Sequence, residues 1–151
     1  MKLYAAMGRY IFWLLRPLIC FVLRRTLRVY ALVECGGRVL VVKNWLAEDT
    51  WRLPGGGVAR GEEPLVALQR ELNEELGLNL QSDQLRPLEQ EQVNHLGFRY
   101  TTYYCLLDEM PSIHPSKFEI VDFSWSELSE IRPAQPELMR SIQVYRGLKM
   151  V

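Results

Sequence analysis

The feature that most constrains this chain is a glycine-rich loop that runs directly into a short helix, within residues 55–78. Glycine occupies positions 55, 56, 57 and 61 of the loop. Pro64 follows, and its fixed φ suits the first helical position. Gly77 supplies the left-handed residue at which many helices end. The sequence therefore predicts a loop and a helix with both ends of the helix marked.

Two kinds of side chain share the surface of this helix. At about 100° per residue, one stripe is entirely leucine, at positions 65, 68, 72 and 76. Glu71, Glu74 and Glu75 lie in the adjoining arc, beside the face expected to be buried. Carboxylates this close repel one another unless a cation intervenes, and hard oxygen ligands of this kind suit Mg²⁺ or Mn²⁺. A bound divalent metal ion is the simplest way to relieve the repulsion among these carboxylates.

The spacing of these residues resembles a complete Nudix box. The family pattern requires a glycine, a glutamate and a charged helix at fixed offsets, and no specified position departs from it. The matching residues are Gly56, Glu62 and the run Arg70-Glu71-Leu72-Asn73-Glu74-Glu75-Leu76-Gly77-Leu78. The resemblance covers roughly residues 26–130 and implies the Nudix fold, an α/β/α sandwich around a mixed β-sheet. It also implies hydrolysis of a nucleoside diphosphate linked to another moiety.

The same resemblance assigns roles to individual residues. It implies that Mg²⁺, or Mn²⁺ in its place, is held by the carbonyl of Gly56 and by the side chains of Glu71, Glu74 and Glu75. Arg70 is expected to position these glutamates, and Glu119 matches an acid that other Nudix proteins aim at the metals or the attacking water. A plain surface helix is the alternative, with Arg70 and Glu74 forming an exposed pair worth about 0.2–0.5 kcal/mol. A catalytically silent nucleotide-binding module, or a membrane-peripheral Nudix module, is a second alternative.

Three residues outside the box are candidates for substrate contact. Trp51, which precedes the glycines, could stack on a base, and Arg99 and Tyr103 lie on a predicted strand. Aromatic residues are ordinary in strands, so sheet packing is the competing interpretation for each of them. The partner is expected to be a small nucleotide, but its class stays open among nucleoside triphosphates, nucleotide sugars, ADP-ribose and dinucleoside polyphosphates.

Apolar runs and turns predict the rest of the Nudix domain, which we place at residues 26–151. The expected elements are a hairpin of Leu27–Cys35 and Arg38–Asn44, a second hairpin of Leu85–Val93 and Phe98–Leu107, a strand at Phe118–Trp125 and a helix at Gln135–Leu148. The first two runs are almost continuously aliphatic. We therefore expect strands buried on both faces and helices that cover the sheet.

Charge is unevenly distributed along the 151 residues. The 18 acidic residues all follow position 28, together with 12 of the 18 basic residues, so the main domain is acidic. An acidic body argues against general nucleic-acid binding. Three cysteines, Cys20, Cys35 and Cys105, lack the spacing of a disulfide framework or a zinc site. We expect buried, reduced thiols and a cytoplasmic protein.

The first 25 residues form a basic, apolar segment predicted to be an extra helix. Lys2, Arg9 and Arg16 recur every seven residues. The apolar run within residues 11–23 is shorter than the ~20 residues that cross a bilayer, and Arg16 and Pro17 interrupt it. The segment could pack on its own domain, form a homodimer or contact an anionic membrane surface. The pattern does not separate these interpretations.

Overall fold

The computed structural model describes residues 27–44, 50–94, 97–116 and 118–149. The predicted N-terminal helix of residues 1–25, together with Cys20 and His95, lies outside these residues. The division of the chain at residue 25 therefore stays a prediction. Within the described ranges, no helix is long and apolar enough to cross a membrane.

The first hairpin is confirmed. Strand β1 (Leu27–Cys35) and strand β2 (Arg38–Asn44) pair antiparallel, with Glu34 opposite Val39. Gly36 and Gly37 form the turn with φ of 56° and 77°, a conformation that favours glycine. Both strands are buried along most of their length, as their aliphatic runs predicted.

Three more strands complete a mixed five-stranded sheet. Strands β3 (Arg86–Val93) and β4 (Arg99–Leu107) form the second hairpin, and β5 (Ile120–Ser126) pairs antiparallel with β2. The strand order is β3-β4-β1-β2-β5, and β1 and β4 run parallel. The mixed sheet is the one that the Nudix resemblance implied.

Among the described residues, one helix packs on each face of the sheet. Helix α1 (Pro64–Leu76) buries its leucines against alternate residues of β1, which are Val29, Ala31 and Val33. Helix α2 (Pro136–Lys149) packs against the other face, where Tyr30 and Leu32 point. This alternation of β1 between two cores produces the predicted sandwich.

The glycine loop lies within the sheet. Val29 N–H donates to the carbonyl of Gly56 at 2.9 Å, and Ala31 N–H donates to that of Pro54 at 3.0 Å. β2 pairs with β1 only near the hairpin turn, so the loop takes the neighbouring place along the first half of β1. The backbone that leads into α1 is therefore held by the central strand.

Candidate active site

The ends of α1 place its acidic residues close to the glycine loop. Pro64 occupies the first turn, and Gly77 ends the helix with φ of 66° while its N–H donates to the carbonyl of Asn73. Leu68 and Leu72 are fully buried and fix the rotation of the helix. The face that carries the glutamates is consequently turned toward residues 55–62.

Arg70 is the centre of the ionic network. Its guanidinium donates to both carboxylate oxygens of Glu62, at 2.9 and 3.0 Å, and to the carbonyl of Gly57 at 3.0 Å. It also donates to Glu71 at 2.9 Å and to Glu74 at 3.1 Å. These carboxylates raise the pKa of Arg70 further above its usual range. One arginine therefore ties the loop to the acidic face of the helix.

Glu62 fastens the loop to this network. Its carboxylate accepts hydrogen bonds from Arg70 and from the backbone N–H of Ala59, the latter at 2.8 Å. The hydrogen bond from Arg70 is the main cause that lowers the pKa of Glu62 to about 2. Glu62 stays ionised at neutral pH and holds the last turn of the loop before α1 begins.

Gly56 leaves room for the carboxylate of Glu71. A Cβ atom at residue 56 would lie 2.4 Å from the carboxyl carbon of Glu71, far inside van der Waals contact. The φ of Gly56 is not positive, so the requirement for glycine here is close approach and not backbone conformation. The carbonyl of Gly56 accepts the Val29 hydrogen bond and retains a second lone pair.

Glu71, Glu74, Glu75 and Glu119 are called the acidic set here. Glu75 is its buried member. Its side chain accepts a hydrogen bond from the N–H of Gly55 at 3.0 Å, and the residue is 7% exposed. Desolvation raises the pKa of Glu75 to about 7, against the opposing effects of Arg52 and the Gly55 N–H. The sequence placed this residue beside the buried face and not within it. Glu75 is thus a carboxylate whose charge the surrounding protein stabilises poorly.

Glu119 lies near Glu75, in the turn before β5. The N–H groups of Glu119 and Ile120 both donate to the carbonyl of Ser116, so β5 begins at Ile120 and not at Phe118 as predicted. The negative charge of Glu119 contributes to the raised pKa of Glu75. In the described ranges its exposed side chain makes no hydrogen bond. It is a free carboxylate at the edge of the acidic set.

The predicted substrate contacts lie apart from the Arg70 network. Trp51 is half-buried, and Lys43 Nζ lies 4.5 Å from the centre of its indole ring. Arg99 pairs with Glu91 at 3.2 Å on an exposed part of β4. Tyr103 packs against the core beneath α1. The substrate-binding roles of these three residues stay predictions.

Two features of the site were missed from the sequence. Arg52 contacts the face of Tyr30, with 5.7 Å from the guanidinium carbon to the ring centre, and its Nη2 lies 3.4 Å from the carbonyl of Gly55. The Gly55 N–H also binds Glu75. The contacts of Arg52 and the Gly55–Glu75 hydrogen bond both arise because the loop joins the sheet. The only feature of the sequence that indicated them was the position of Arg52, three residues before the glycines.

The donor set suits a hard divalent cation. Carboxylate oxygens are offered by Glu71, Glu74, Glu75 and Glu119. The carboxylate of Glu71 fills the space opposite Gly56. As the side chains stand, no three acids, histidines or cysteines in the described ranges converge closely enough to hold one ion. Arg70 Nη1 instead binds both Glu71 and Glu74, at 2.9 and 3.1 Å.

The described part of the chain defines a class of protein: a mixed sheet between two helices, with an arginine-centred acidic site at its glycine loop. The family model described as the NUDIX domain matches residues 22–146. That match spans most of the sequence, and the chain belongs to the Nudix domain family.

Known proteins share either a short stretch of sequence or the fold. The chain is 52% identical over 44 residues to an RNA pyrophosphohydrolase of Ruthia magnifica, which is 29% of this chain and 24% of that protein. The matched stretch thus spans about a quarter of this relative.

Two solved structures illustrate the shared fold. The MutT NUDIX hydrolase of Burkholderia pseudomallei has a TM-score of 0.65 at 22% identity, covering 78% of this chain and 95% of that one. The bifunctional NMN adenylyltransferase/ADP ribose pyrophosphatase of Francisella tularensis, complexed with AMP and a Mn ion, has 0.64 at 23%, covering 81% and 41%. At these identities the likeness is one of fold.

Proposed function

We propose that this protein is a metal-dependent hydrolase of a phosphoanhydride bond in a nucleoside diphosphate linked to another moiety. The observation that carries this proposal is the Arg70 network, which fixes Glu62, Glu71 and Glu74 around the glycine loop. A surface helix needs no such arrangement, because a single exposed ion pair adds only about 0.2–0.5 kcal/mol.

Mg²⁺ is the proposed cofactor, with Mn²⁺ as its substitute. Glu71, Glu74 and Glu75 are its proposed side-chain ligands, and the carbonyl of Gly56 is the proposed backbone ligand. A bound divalent ion supplies charge neutralisation, which a phosphoanhydride needs because its own oxygens repel a nucleophile. A nearby cation also favours the ionised form of Glu75.

The remaining steps fall to residues of the chain. Arg70 holds the carboxylates in place and keeps the loop against the helix. Glu119 is the proposed general base that accepts the proton of the attacking water. Its side chain is exposed and makes no hydrogen bond in the described ranges. The water oxygen forms the new bond to phosphorus, the bridging P–O bond breaks, and the second phosphate leaves with the electron pair.

Five classes of substrate are candidates for the proposed site. One relative is named for RNA and one structural neighbour for ADP-ribose. An RNA with a 5′-triphosphate therefore joins the nucleoside triphosphates, nucleotide sugars, ADP-ribose and dinucleoside polyphosphates as a candidate. The acidic main domain favours the small nucleotides over a long nucleic acid.

A hydrolysis screen tests the proposal. The purified chain is incubated with each substrate class in Mg²⁺, and the products are identified by mass. We expect cleavage within the phosphoanhydride of one class. Glu119→Gln should lower turnover about 100-fold or more, and Glu109→Gln, which replaces another exposed acid, should not. A folded protein that cleaves none of the substrates would favour the catalytically silent binding module.

A further inference from the structure

Two half-buried arginines near the glycine loop form no ion pair with a carboxylate of the described residues. Of the ten arginines in the described ranges, seven are exposed. The other three are Arg28, Arg52 and Arg70, and Arg70 is bound by glutamates. Arg28 and Arg52 make no ion pair with any acid in the described part of the chain. A half-buried cation that forms no ion pair is costly, and a bound anion would offset that cost.

Arg28 carries an unsatisfied donor. Its Nε is the one buried side-chain nitrogen or oxygen without a hydrogen-bond partner in the described ranges. Its guanidinium carbon lies 5.5 Å from the centre of the Phe98 ring, which supports the cation on one side only. An unpaired buried donor in a native structure commonly marks a functional role or a missing ligand.

Arg52 is supported in a similar way. Its guanidinium lies over the Tyr30 ring, and the only hydrogen bond that the guanidinium makes in the described ranges is the long contact of 3.4 Å to the carbonyl of Gly55. It is also an electrostatic neighbour of Glu75. Arg52 therefore stands beside the acidic site with most of its donors unused.

Arg28 and Arg52 both lie on the α2 side of β1. Arg28 and Tyr30 are two residues apart on β1, so both point toward the α2 face, and Arg52 covers the Tyr30 ring. Arg28 also forms a backbone bridge with Gly57. A Cβ atom added at Gly57 would meet nothing within 4 Å, so space is open at the residue that bridges Arg28.

We propose that Arg28 and Arg52 bind a phosphate group of the substrate, the one that stays on the nucleoside after cleavage. This inference rests on the proposed function, because the α1 carboxylates are assigned there to the anhydride. A guanidinium offers several N–H donors in a planar fork that matches phosphate oxygens. The phosphate is either a terminal monoester or the diester of a longer substrate, and both present the same charged oxygens.

Calorimetric binding in EDTA tests this site without turnover. The probes are adenosine 5′-monophosphate, whose phosphate is a monoester, and the dinucleotide ApA, whose single phosphate is a diester. Adenosine is the control without phosphate. The variants are Arg28→Gln and Arg52→Gln, and the matched control is Arg60→Gln, which removes an exposed arginine from the same loop.

We expect each of the two variants to weaken binding of one phosphate probe by about tenfold or more, because a hydrogen bond to a charged group is lost. Arg60→Gln should bind that probe as wild type does, and adenosine should not distinguish any of the proteins. The probe that responds identifies the phosphate as monoester or diester. Equal affinity in wild type and both variants, or no binding of either probe by wild type, would overturn the site.

The lysine variants keep the test valid if a glutamine variant fails to fold. Arg28→Lys and Arg52→Lys retain the charge but lose the fork, so they should bind the responding probe more weakly than wild type. Wild-type affinity in both would contradict the proposal. Arginine-dependent binding in a protein that hydrolyses nothing would refute the proposed function and leave this site intact. Hydrolysis by a protein whose phosphate binding does not depend on Arg28 or Arg52 would refute this site and leave the proposed function intact.

Discussion

Glu75 shows how far burial alters a single carboxylate of this site. Its folded pKa of about 7 lies above the ordinary value of 4.5, so folding favours the protonated form. Without a metal ion, the native state then binds more protons than the unfolded state between these two values. The stability of the metal-free protein should fall as the pH rises through this window and level off above it.

Replacing Glu75 with Gln should remove that slope. The expected difference is about 1–3 kcal/mol between pH 5 and pH 8 in EDTA, because one pKa unit corresponds to 1.36 kcal/mol. Urea unfolding of wild type and Glu75→Gln at both pH values measures it. Parallel pH dependence in the two proteins would show that the burial of Glu75 does not perturb its ionisation.

Gly56 tests the packing around Glu71. Gly56→Ala should force the Glu71 carboxylate away from the loop, since the new Cβ would overlap it at 2.4 Å. The carboxylate ends a flexible side chain, so the melting temperature should change little. Turnover should fall by up to about 100-fold, as expected for a misplaced functional group.

Gly57→Ala is the matched control for this substitution. Its added Cβ meets nothing within 4 Å, and its backbone φ is not positive. It should leave the melting temperature unchanged and keep Glu71 in place. Equal turnover in Gly56→Ala and wild type would mean that the position of Glu71 does not matter for activity.

At the scale of elements, the loop and α1 are joined mainly through one side chain. Arg70→Lys keeps a positive charge but cannot bind both oxygens of Glu62 together with Glu71, Glu74 and the Gly57 carbonyl. The carboxylate of Glu62 then holds the Ala59 N–H less firmly. Hydrogen exchange at Ala59 should accelerate about tenfold, the factor for 1.4 kcal/mol.

Arg60→Lys provides the comparison, because Arg60 is exposed and next to Ala59 in sequence. It should leave the exchange at Ala59 as in wild type. If Arg70→Lys also leaves it unchanged, the loop is held by its backbone hydrogen bonds to β1 and not by Arg70.

Elements with local signals could be predicted from the sequence. The caps of α1, the Gly36-Gly37 turn and the aliphatic strands are each encoded within a few residues, and Cys35 and Cys105 are buried free thiols as expected. Burial raises the pKa of Cys105 to about 11. The same logic identified α2, whose observed range is Pro136–Lys149.

Features that depend on tertiary neighbours could not be predicted in this way. The burial of Glu75 and the pairing of Arg52 with Tyr30 arise because the glycine loop occupies a place beside β1. No short pattern announces that arrangement. In the sequence, Arg28 is an ordinary strand residue. Its contact with the Phe98 ring forms only in the folded protein.

For the molecule as a whole, α2 is docked on the sheet by buried polar contacts as well as by its apolar face. Glu89 of β3 accepts hydrogen bonds from Arg140 at 2.8 Å and from Ser141 at 3.0 Å. A second carboxylate, Glu34, accepts from the hydroxyls of Tyr104 and Tyr145. These contacts fix where the helix lies across three strands.

Arg140→Ala tests this docking. The Glu89 side chain is 4% exposed and that of Arg140 is 53% exposed, so the change removes a charge partner with little loss of packing. Leaving Glu89 underpaired should cost about 1–3 kcal/mol of unfolding free energy. Arg146→Ala, on the same helix and exposed, should cost less than about 0.5 kcal/mol. Equal unfolding midpoints for the two variants would show that the pairing of Glu89 with Arg140 does not stabilise the docking of α2.

The proposed function requires that the acids of α1 hold a divalent ion, which makes anhydride hydrolysis possible. The most direct measurement is the turnover of the best substrate from the screen in Mg²⁺, in EDTA and after Mg²⁺ is restored. Wild type, Glu74→Gln and the exposed control Glu63→Gln are compared. We predict activity that EDTA abolishes and Mg²⁺ restores, a loss of about 100-fold or more in Glu74→Gln, and wild-type rates in Glu63→Gln. Turnover that persists in EDTA, or near-normal rates in Glu74→Gln, would show that hydrolysis does not depend on a divalent ion held by these acids.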